Sequence, residues 1–327
     1  MPPSWSVVAT VDEPAALVVA FALHHLECGA SEVNLFLDGP NPQAEDALRS
    51  IAQVKLVVCD EAHWLDCVRR RKPKLHTGRQ LVNADIAYQS CRADWLLHCD
   101  CDEFVSDGHA LALELGVLEP KHVYLRLHMA ERAYVGPETE NIFEGVFRYP
   151  MKDFATQGPP VYGDLVPFLK DGLTGHRAGK AVVRTGLPIK MGIHSPDGPP
   201  PHRDAVTRLL HFDGLTRLHY LIKLLRRAHE PPISPLRHGA PRIVQFERLR
   251  AMAGQPDRAH ALVADLKSLN PEQIAKLRAL QALDERNFSA LGENPLAADL
   301  STTSINAALR ARYHDFLQAY APKFLRA

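Results

Sequence analysis

The chain has 327 residues, 46% of them hydrophobic and 23% charged, so it can bury one large core or two smaller ones. Its 38 basic residues balance its 38 acidic residues, which excludes an overall charge that would favour nucleic-acid binding. No apolar run reaches about 18 residues, so we expect no membrane-spanning helix. The 6 cysteines show no CxxC spacing, and reduced thiols in a cytoplasmic protein are the simplest interpretation.

Strand and helix patterns alternate through residues 1–130, at the spacing of βαβ units. This alternation predicts an α/β fold with a mainly parallel sheet flanked by helices. Ligands of such sheets gather at the carboxyl ends of the strands. Four predicted strands end in an acid, namely Asp12, Asp38, Asp60 and Asp100. Each acid could instead cap a helix, and Asp12 is a candidate cap for a helix running to about Cys28.

Residues 130–205 are rich in glycine and proline and are expected to form long binding loops, with short strands near 181–183 and 188–193. A strand at 208–212 and an amphipathic helix at 214–227 should follow. We expect residues 1–228 to form one domain, 229–242 a proline-rich linker, and 243–327 a helical C-terminal region. In that region Asn270 and Gln273 fit a capping box, and the last helix is predicted over 304–317.

The most informative stretch runs from Trp95 to Phe104, where a short apolar strand enters the string Asp100-Cys-Asp102-Glu103. Residues i and i+2 of an extended backbone point to the same side, so Asp100 and Asp102 should converge. Two such carboxylates suit Mg²⁺ or Mn²⁺, with positions left for substrate phosphates. Glu103 could reach the metal through water, orient an acceptor or begin a helix.

Two other interpretations of this stretch remain open. The acids could belong to a capped turn and simply be solvated. Alternatively, His98, Cys99 and Cys101 could bind zinc, but adjacent ligands on a strand point to opposite faces. The two cysteines are better explained as small residues of the core.

The chain resembles the family-2-type glycosyltransferases of the GT-A fold, in the subgroup that carries a W-x4-D-x-D-E-F string. The resemblance covers about Val7 to Arg227 and is absent from the C-terminal helices. Its strings stand here at Trp95–Phe104, His24–Ala30, Arg79-Gln80, Gly175–Lys180 and His194–Pro196. The sequence departs from the family at Glu13, where many relatives have a Lys-Asn-Glu run, and this weakens Asp12 as a nucleotide contact.

The resemblance implies a nucleotide-sugar donor and a divalent cation. Asp100 and Asp102 would hold Mn²⁺ or Mg²⁺, and His194 would complete the metal site in competition with His176 and His211. Donor contacts would come from the residues at matching positions, which are Asp12, Asp38, Arg79, Asp100 and Lys180. An inverting transfer also needs a general base near the acceptor hydroxyl. The candidates are Asp153, Asp164, Asp171 and Asp213, of which Asp213 is favoured because it follows the strand end at Phe212.

The acceptor is left open as a glycan, a lipid-linked molecule or a protein, and the oligomeric state is not predicted. The basic run 69–74 would allow peripheral contact with the inner face of a membrane. Two other functions fit the same acidic strand ends. One is a metal-dependent phosphohydrolase or nucleotidyltransferase, and the other is a non-catalytic module that binds nucleotide sugars.

Overall fold

The computed structural model describes residues 2–198, 200–229, 239–252, 254–288 and 299–325. These residues divide into two compact units, which are described separately below. Residues 2–129 and 178–210 form the first unit, and residues 130–177, 211–288 and 299–325 form the second, apart from the gaps just given.

The strands in chain order are β1 (Trp5–Val11), β2 (Glu32–Leu37), β3 (Val54–Val58), β4 (Trp95–His98), β5 (Glu103–Val105), β6 (Tyr124–Val135), β7 (Val146–Arg148), β8 (Lys180–Arg184), β9 (His202–His211), β10 (Ser268–Leu269) and β11 (Leu283–Asp284). The α-helices are α1 (Ala15–Glu27), α2 (Pro42–Leu48), α3 (His76–Ser90), α4 (Gly108–Gly116), α5 (Phe154–Tyr162), α6 (Arg217–His229), α7 (Ala240–Ala251), α8 (Pro256–Lys267), α9 (Pro271–Ala279), α10 (Thr302–Arg312) and α11 (His314–Tyr320). Shorter helical turns are a π-helix at His63–Cys67 and 3₁₀ helices at Gly163–Phe168 and Pro322–Leu325.

The first unit is built on a sheet in which β3, β2, β1 and β4 lie side by side and parallel. β8 then pairs antiparallel with β4, and the first residues of β6 pair antiparallel with β8. Every residue of β1 is buried, as expected for a central strand covered on both faces. The predicted α/β class, with a mainly parallel sheet flanked by helices, is confirmed.

Two local predictions for the first unit are wrong. Asp12 does not cap α1, because the helix begins at Ala15 with Pro14 at the N-cap and no side-chain cap. Residues 188–193 form no strand, although 180–184 do, as β8. Proline at position 188 removes a backbone donor that strand pairing needs, so the apolar residues at 188–193 do not form the predicted strand.

In the second unit, β7 pairs antiparallel with the end of β6, and this pairing puts Glu131 opposite Arg148. β7 also pairs antiparallel with β11. Residues 130–177 contain more regular structure than expected, including helix α5. The sequence did not indicate this helix because two prolines lie inside it. The predicted capping box of Asn270 and Gln273 is confirmed. In place of the single helix predicted over 304–317, the structure has two helices, α10 and α11.

The predicted linker 229–242 falls mostly on residues 230–238, which lie outside the described residues, and α7 already begins at Ala240. The division of the chain near residues 228 and 243 therefore stays a prediction. Within the described stretches, no helix is both long enough and apolar enough to cross a membrane.

Candidate active site at the strand ends of the first unit

The acids predicted to share an edge of the sheet follow the carboxyl ends of four adjacent parallel strands. The strand order β3-β2-β1-β4 brings together, in that order, Asp60, Asp38, Asp12 and Asp100. Neighbouring strands lie about 4.8 Å apart, so the acids occupy one edge. Asp60 has a local role as well, because its Oδ1 accepts a hydrogen bond from the backbone N–H of His63 at 2.8 Å.

Helix α3 supplies polar side chains to this edge from one face. His76 and Arg79 contact Asp38, and Gln80 donates to Asp100 Oδ1. One turn later, Asn83 donates to the hydroxyl of Thr10 on β1 at 3.0 Å. Residues three and four apart lie on the same side of a helix, so the run 76, 79, 80, 83 forms a polar stripe. This stripe is the sequence signal that could have identified His76 and Asn83 as residues of the site.

Asp38 is held by cations on several sides. Arg79 Nε lies 2.8 Å from both carboxylate oxygens and its Nη2 lies 2.7 Å from Oδ2. His76 Nδ1 lies 3.2 Å from Oδ2, and Lys72 Nζ lies 3.2 Å from Oδ1. Burial alone would raise the pKa of Asp38, but the hydrogen bonds from His76 and Arg79 lower it strongly. Asp38 is therefore an ionised, oriented acceptor.

Arg79 also fixes the loop in front of α3. Its Nη1 donates to the carbonyl oxygens of Pro73 and Lys74, both at 2.9 Å. Next to this loop, at the end of β3, lies a cavity of about 450 Å³. The residues that line it are Cys59, Asp60, Glu61, Trp64, Leu65, Arg71 and Lys72. Lys72 thus borders the cavity and pairs with Asp38, and the volume is in the range of small-ligand sites.

Asp100 is paired with a buried lysine from β8. Lys180 Nζ lies 3.0 Å from Asp100 Oδ2 and 3.5 Å from Glu103 Oε2. The backbone N–H of Asp100 donates to Glu103 Oε2 at 2.7 Å, which closes the turn between β4 and β5. The Lys180 and Glu103 side chains are 0% exposed, whereas the Asp100 side chain is 30% exposed. Asp100 is thus the member of the cluster that a ligand can reach.

Burial and charge set the protonation of this cluster. Burial would raise the pKa of Asp100, but Lys180 and His98 lower it well below its usual range. Burial raises the pKa of Glu103 to about 8 against the opposing effect of Lys180. Burial would lower the pKa of Lys180, but Asp100 and Glu103 raise it. At neutral pH the cluster is therefore an ion pair of Lys180 and Asp100 beside a largely protonated Glu103.

The donor set at Asp100 fits a hard divalent cation. Its carboxylate is ionised, partly exposed and oriented by Gln80 and Lys180, which are the properties a metal ligand needs. The buried Oε1 of Glu103 has no hydrogen-bond partner among the described residues, so this carboxyl retains an unused oxygen. The zinc alternative fits poorly, because burial raises the pKa of Cys99 and Cys101 well above that of an ordinary thiol.

The other predicted site residues occupy varied positions. Asp102 is buried in the turn before β5, at 4% exposure. Asp12 follows β1, and its backbone N–H donates to Glu13 Oε2 at 2.7 Å. His194 lies in the loop after β8, with its Nδ1 3.0 Å from the carbonyl oxygen of Gly179. The metal-binding role of Asp102 and His194 and the nucleotide role of Asp12 stay predictions.

Asp213 lies in the second unit and is 1% exposed. Lys223 Nζ is 3.0 Å from its Oδ1, and Arg242 Nη2 is 3.1 Å from its Oδ2. Burial would raise the pKa of Asp213, but these two cations lower it well below the usual range. A carboxylate with so low a pKa is a weak proton acceptor at neutral pH, which weighs against Asp213 as the general base.

The protonation of Glu103 predicts a pH dependence of stability. Its pKa is about 8 in the folded chain against 4.5 ordinarily, so the folded state holds a proton that the unfolded state releases between these values. Stability should therefore fall as pH rises from about 4.5 to 8. Glu103→Gln should match the wild type near pH 5 and be the more stable protein above pH 8. Urea unfolding at pH 5, 7 and 8.5 measures this, with Glu140→Gln, at an exposed site, as the control. Parallel pH profiles for wild type and Glu103→Gln would contradict it.

Comparison with known proteins gives no matching family model and no matching curated sequence. Among solved structures, the chain is similar to the mannosyltransferase PcManGT from Pyrobaculum calidifontis in complex with GDP-Man and Mn²⁺, with a TM-score of 0.31, 15% identity, and coverage of 99% of this chain and 86% of that one. It is also similar to residues 1–349 of TarS from S. aureus, with a TM-score of 0.31, 11% identity, and coverage of 99% and 89%. A third similarity is to CMP:2-keto-3-deoxy-manno-octonic acid synthetase complexed with CTP, with a TM-score of 0.29, 13% identity, and coverage of 96% and 100%.

Proposed function

We propose that the chain is a metal-dependent glycosyltransferase of the GT-A type, which moves a sugar from a nucleotide-diphosphate donor to an acceptor. The observation that carries the proposal is the shared support of Asp38 and Asp100 by one helix. Arg79 and Gln80, adjacent on α3, hold the acids at the ends of β2 and β4. β1 lies between those strands, so the two ends are roughly 10 Å apart across the sheet. That span suits a nucleoside at one end and a diphosphate at the other.

In this proposal Asp38 accepts hydrogen bonds from the ribose or base, and the neighbouring cavity receives the nucleoside. The cavity offers acidic, basic and apolar lining in one place, through Asp60, Lys72 and Leu65. Arg79 donates both to Asp38 and to the loop carbonyls of Pro73 and Lys74, so it fixes the position of the carboxylate relative to that loop beside the cavity. Preorganised groups of this kind bind a ligand at a smaller entropic cost.

At the other end, Asp100 and Asp102 would hold Mn²⁺ or Mg²⁺, with His194 as a further ligand. A bound cation there would neutralise charge on the departing diphosphate. Gln80 and Lys180 keep the Asp100 carboxylate ionised and oriented toward the exposed side. Lys180 is fully buried and occupied by Asp100 and Glu103, so we assign it the positioning of Asp100, and its direct contact with phosphate stays a prediction.

We assign Glu103 the role of positioning the two aspartates, and its contact with the metal or the acceptor stays a prediction. Its protonated carboxyl accepts from the backbone N–H of Asp100 and so sets the turn that carries both aspartates. The acceptor, its general base and a contact with a membrane surface through the run 69–74 remain predictions from the sequence.

Replacement of Arg79 tests the nucleoside end. Arg79→Met removes three close contacts to Asp38 and releases the loop carbonyls, so we expect nucleotide affinity to fall by about tenfold or more. Isothermal titration with nucleoside diphosphates measures the effect. The matched control is Arg49→Met, which removes an exposed arginine paired with Asp46 at 3.3 Å. If wild type and Arg79→Met bind nucleoside diphosphates with equal affinity, Asp38 is not part of the nucleotide site.

A further inference from the structure

The cavity at the end of β3 has a balanced charge lining. Two acids, Asp60 and Glu61, and two cations, Arg71 and Lys72, border its volume of about 450 Å³. A phosphate group is best matched by cations alone, whereas equal numbers of acids and cations suit a neutral ligand. Such a ligand needs hydrogen-bond donors on one edge and acceptors on another, and nucleobases have this arrangement.

Two of the four charged residues already hold contacts within the chain. Asp60 Oδ1 accepts from the backbone N–H of His63 at 2.8 Å. Lys72 Nζ lies 3.2 Å from Asp38 Oδ1 and donates to the carbonyl oxygen of Asp38 at 3.0 Å. A ligand in the cavity therefore reaches Asp60 and Lys72 only in competition with these partners.

Glu61 and Arg71 differ from the other two. Both are exposed and border the same cavity. Among the residues that the structure describes, neither side chain makes a hydrogen bond or an ion pair, with the other or with a third residue. A carboxylate and a guanidinium are thus both available to a ligand that lies between them.

The backbone that carries these two side chains is held in place. Asp60, next to Glu61, caps the turn that begins at His63. The backbone N–H of Arg70, next to Arg71, donates to the carbonyl oxygen of Trp64 at 2.9 Å. The loop beyond Arg71 is fixed by Arg79 through the carbonyl oxygen of Pro73 at 2.9 Å. The positions of both side chains are therefore set before a ligand binds.

The apolar part of the lining suits a flat ring. Leu65 lines the cavity although 47% of its surface is exposed, so a ligand that covers it removes apolar surface from water. Trp64 is 1% exposed, and its Nε1 donates to the carbonyl oxygen of Cys59 at 3.2 Å, which fixes the indole. The cavity thus combines apolar surface with charged groups for the edges of the ring.

We propose that this cavity selects guanine, and that Glu61 and Arg71 recognise the base. Among the common bases, only guanine presents two adjacent N–H donors, N1–H and the 2-amino group, which fit the two oxygens of a carboxylate. Its O6 and N7 are adjacent acceptors, which fit the donor fork of an arginine. Uracil has a single ring N–H between two carbonyl oxygens, and these repel a carboxylate. The inference rests on the proposed function, because it names the donor as a guanosine-diphosphate sugar.

The first test is isothermal titration of the full chain with GDP, UDP, CDP and ADP, each with Mn²⁺ present. GDP should bind at least about tenfold more tightly than the other three. Tighter binding of another base, or equal binding of all four, would overturn the assignment to guanine and leave the proposed transferase in place. Binding of none of the four would count against both.

The role of Glu61 is tested on the ligand and the protein together. Inosine diphosphate lacks the 2-amino group, so the wild type should bind it about tenfold more weakly than GDP. Glu61→Met removes the acceptor and should bind the two nucleotides with similar affinity. The matched control is Glu140→Met, at an exposed site of the second unit, which should keep the wild-type preference.

The role of Arg71 is tested in the same way with 7-deaza-GDP, which lacks the N7 acceptor. The wild type should prefer GDP over this analogue by about tenfold, and Arg71→Met should lose the preference. Arg49→Met, which changes an exposed arginine elsewhere in the first unit, should keep it. A wild type that binds GDP, inosine diphosphate and 7-deaza-GDP equally would refute the proposal, as would variants of Glu61 and Arg71 that keep both preferences.

Discussion

Lys180→Met should destabilise the folded chain by about 3–5 kcal/mol. The ammonium group lies 3.0 Å from Asp100 and 3.5 Å from Glu103, and its side chain is 0% exposed. Removing it leaves the ionised Asp100 carboxylate, which is 30% exposed, without its cation beside the buried Glu103 carboxyl. Breaking a buried pair from one side costs much more than the pair contributes, because the remaining charge stays out of water. Urea unfolding measured at pH 7 gives the change in unfolding free energy.

The matched control for this prediction is Lys276→Met, whose exposed helical pair should contribute about 0.5 kcal/mol or less. The double variant Lys180→Met with Asp100→Asn should recover part of the loss, since the uncompensated carboxylate is then absent. A loss in Lys180→Met no larger than that in Lys276→Met would show that Lys180 does not compensate the cluster.

Asp100→Asn should reduce metal-dependent turnover of the donor by at least about 100-fold. An amide is a weaker ligand for a hard divalent cation than a carboxylate, and it carries no charge to hold Mn²⁺ or Mg²⁺ beside a diphosphate. The remaining partners, Gln80 and Lys180, still fill the space around the side chain. Release of the nucleoside diphosphate from the donor measures turnover.

The matched control is Asp94→Asn. Asp94 is an exposed aspartate of the same unit, and its Oδ2 accepts hydrogen bonds from the backbone N–H and the hydroxyl of Ser4. Melting temperatures of both variants separate a loss of chemistry from a loss of folding. If Asp100→Asn folds and turns over the donor at the wild-type rate, Asp100 does not hold the metal.

The strands around the site were predictable because their apolar, β-branched runs end at turn signals. β1, β2 and β3 appear where the sequence indicates them, so the shared edge of Asp38 and Asp100 could be inferred before the structure was known. The α3 helix was also predicted, although its polar stripe toward that edge was not recognised.

The partners of Asp100 could not be predicted from pattern alone. Lys180 lies 80 residues away along the chain and reaches Asp100 only because β8 pairs antiparallel with β4. The same limit applies to the second unit, where Glu131 and Lys267 meet through tertiary packing rather than through spacing. The proline-containing helix α5 was missed because helix interiors normally exclude proline.

The most direct test of the proposed transferase is a thermal-shift screen of nucleotide sugars, nucleoside triphosphates and nucleoside diphosphates, each with and without Mn²⁺. The account predicts that at least one nucleotide sugar raises the melting temperature of the wild type only when Mn²⁺ is present, and that Asp100→Asn loses this shift. Absence of stabilisation by every nucleotide sugar, or stabilisation by a nucleoside triphosphate alone, would contradict the assignment as a glycosyltransferase.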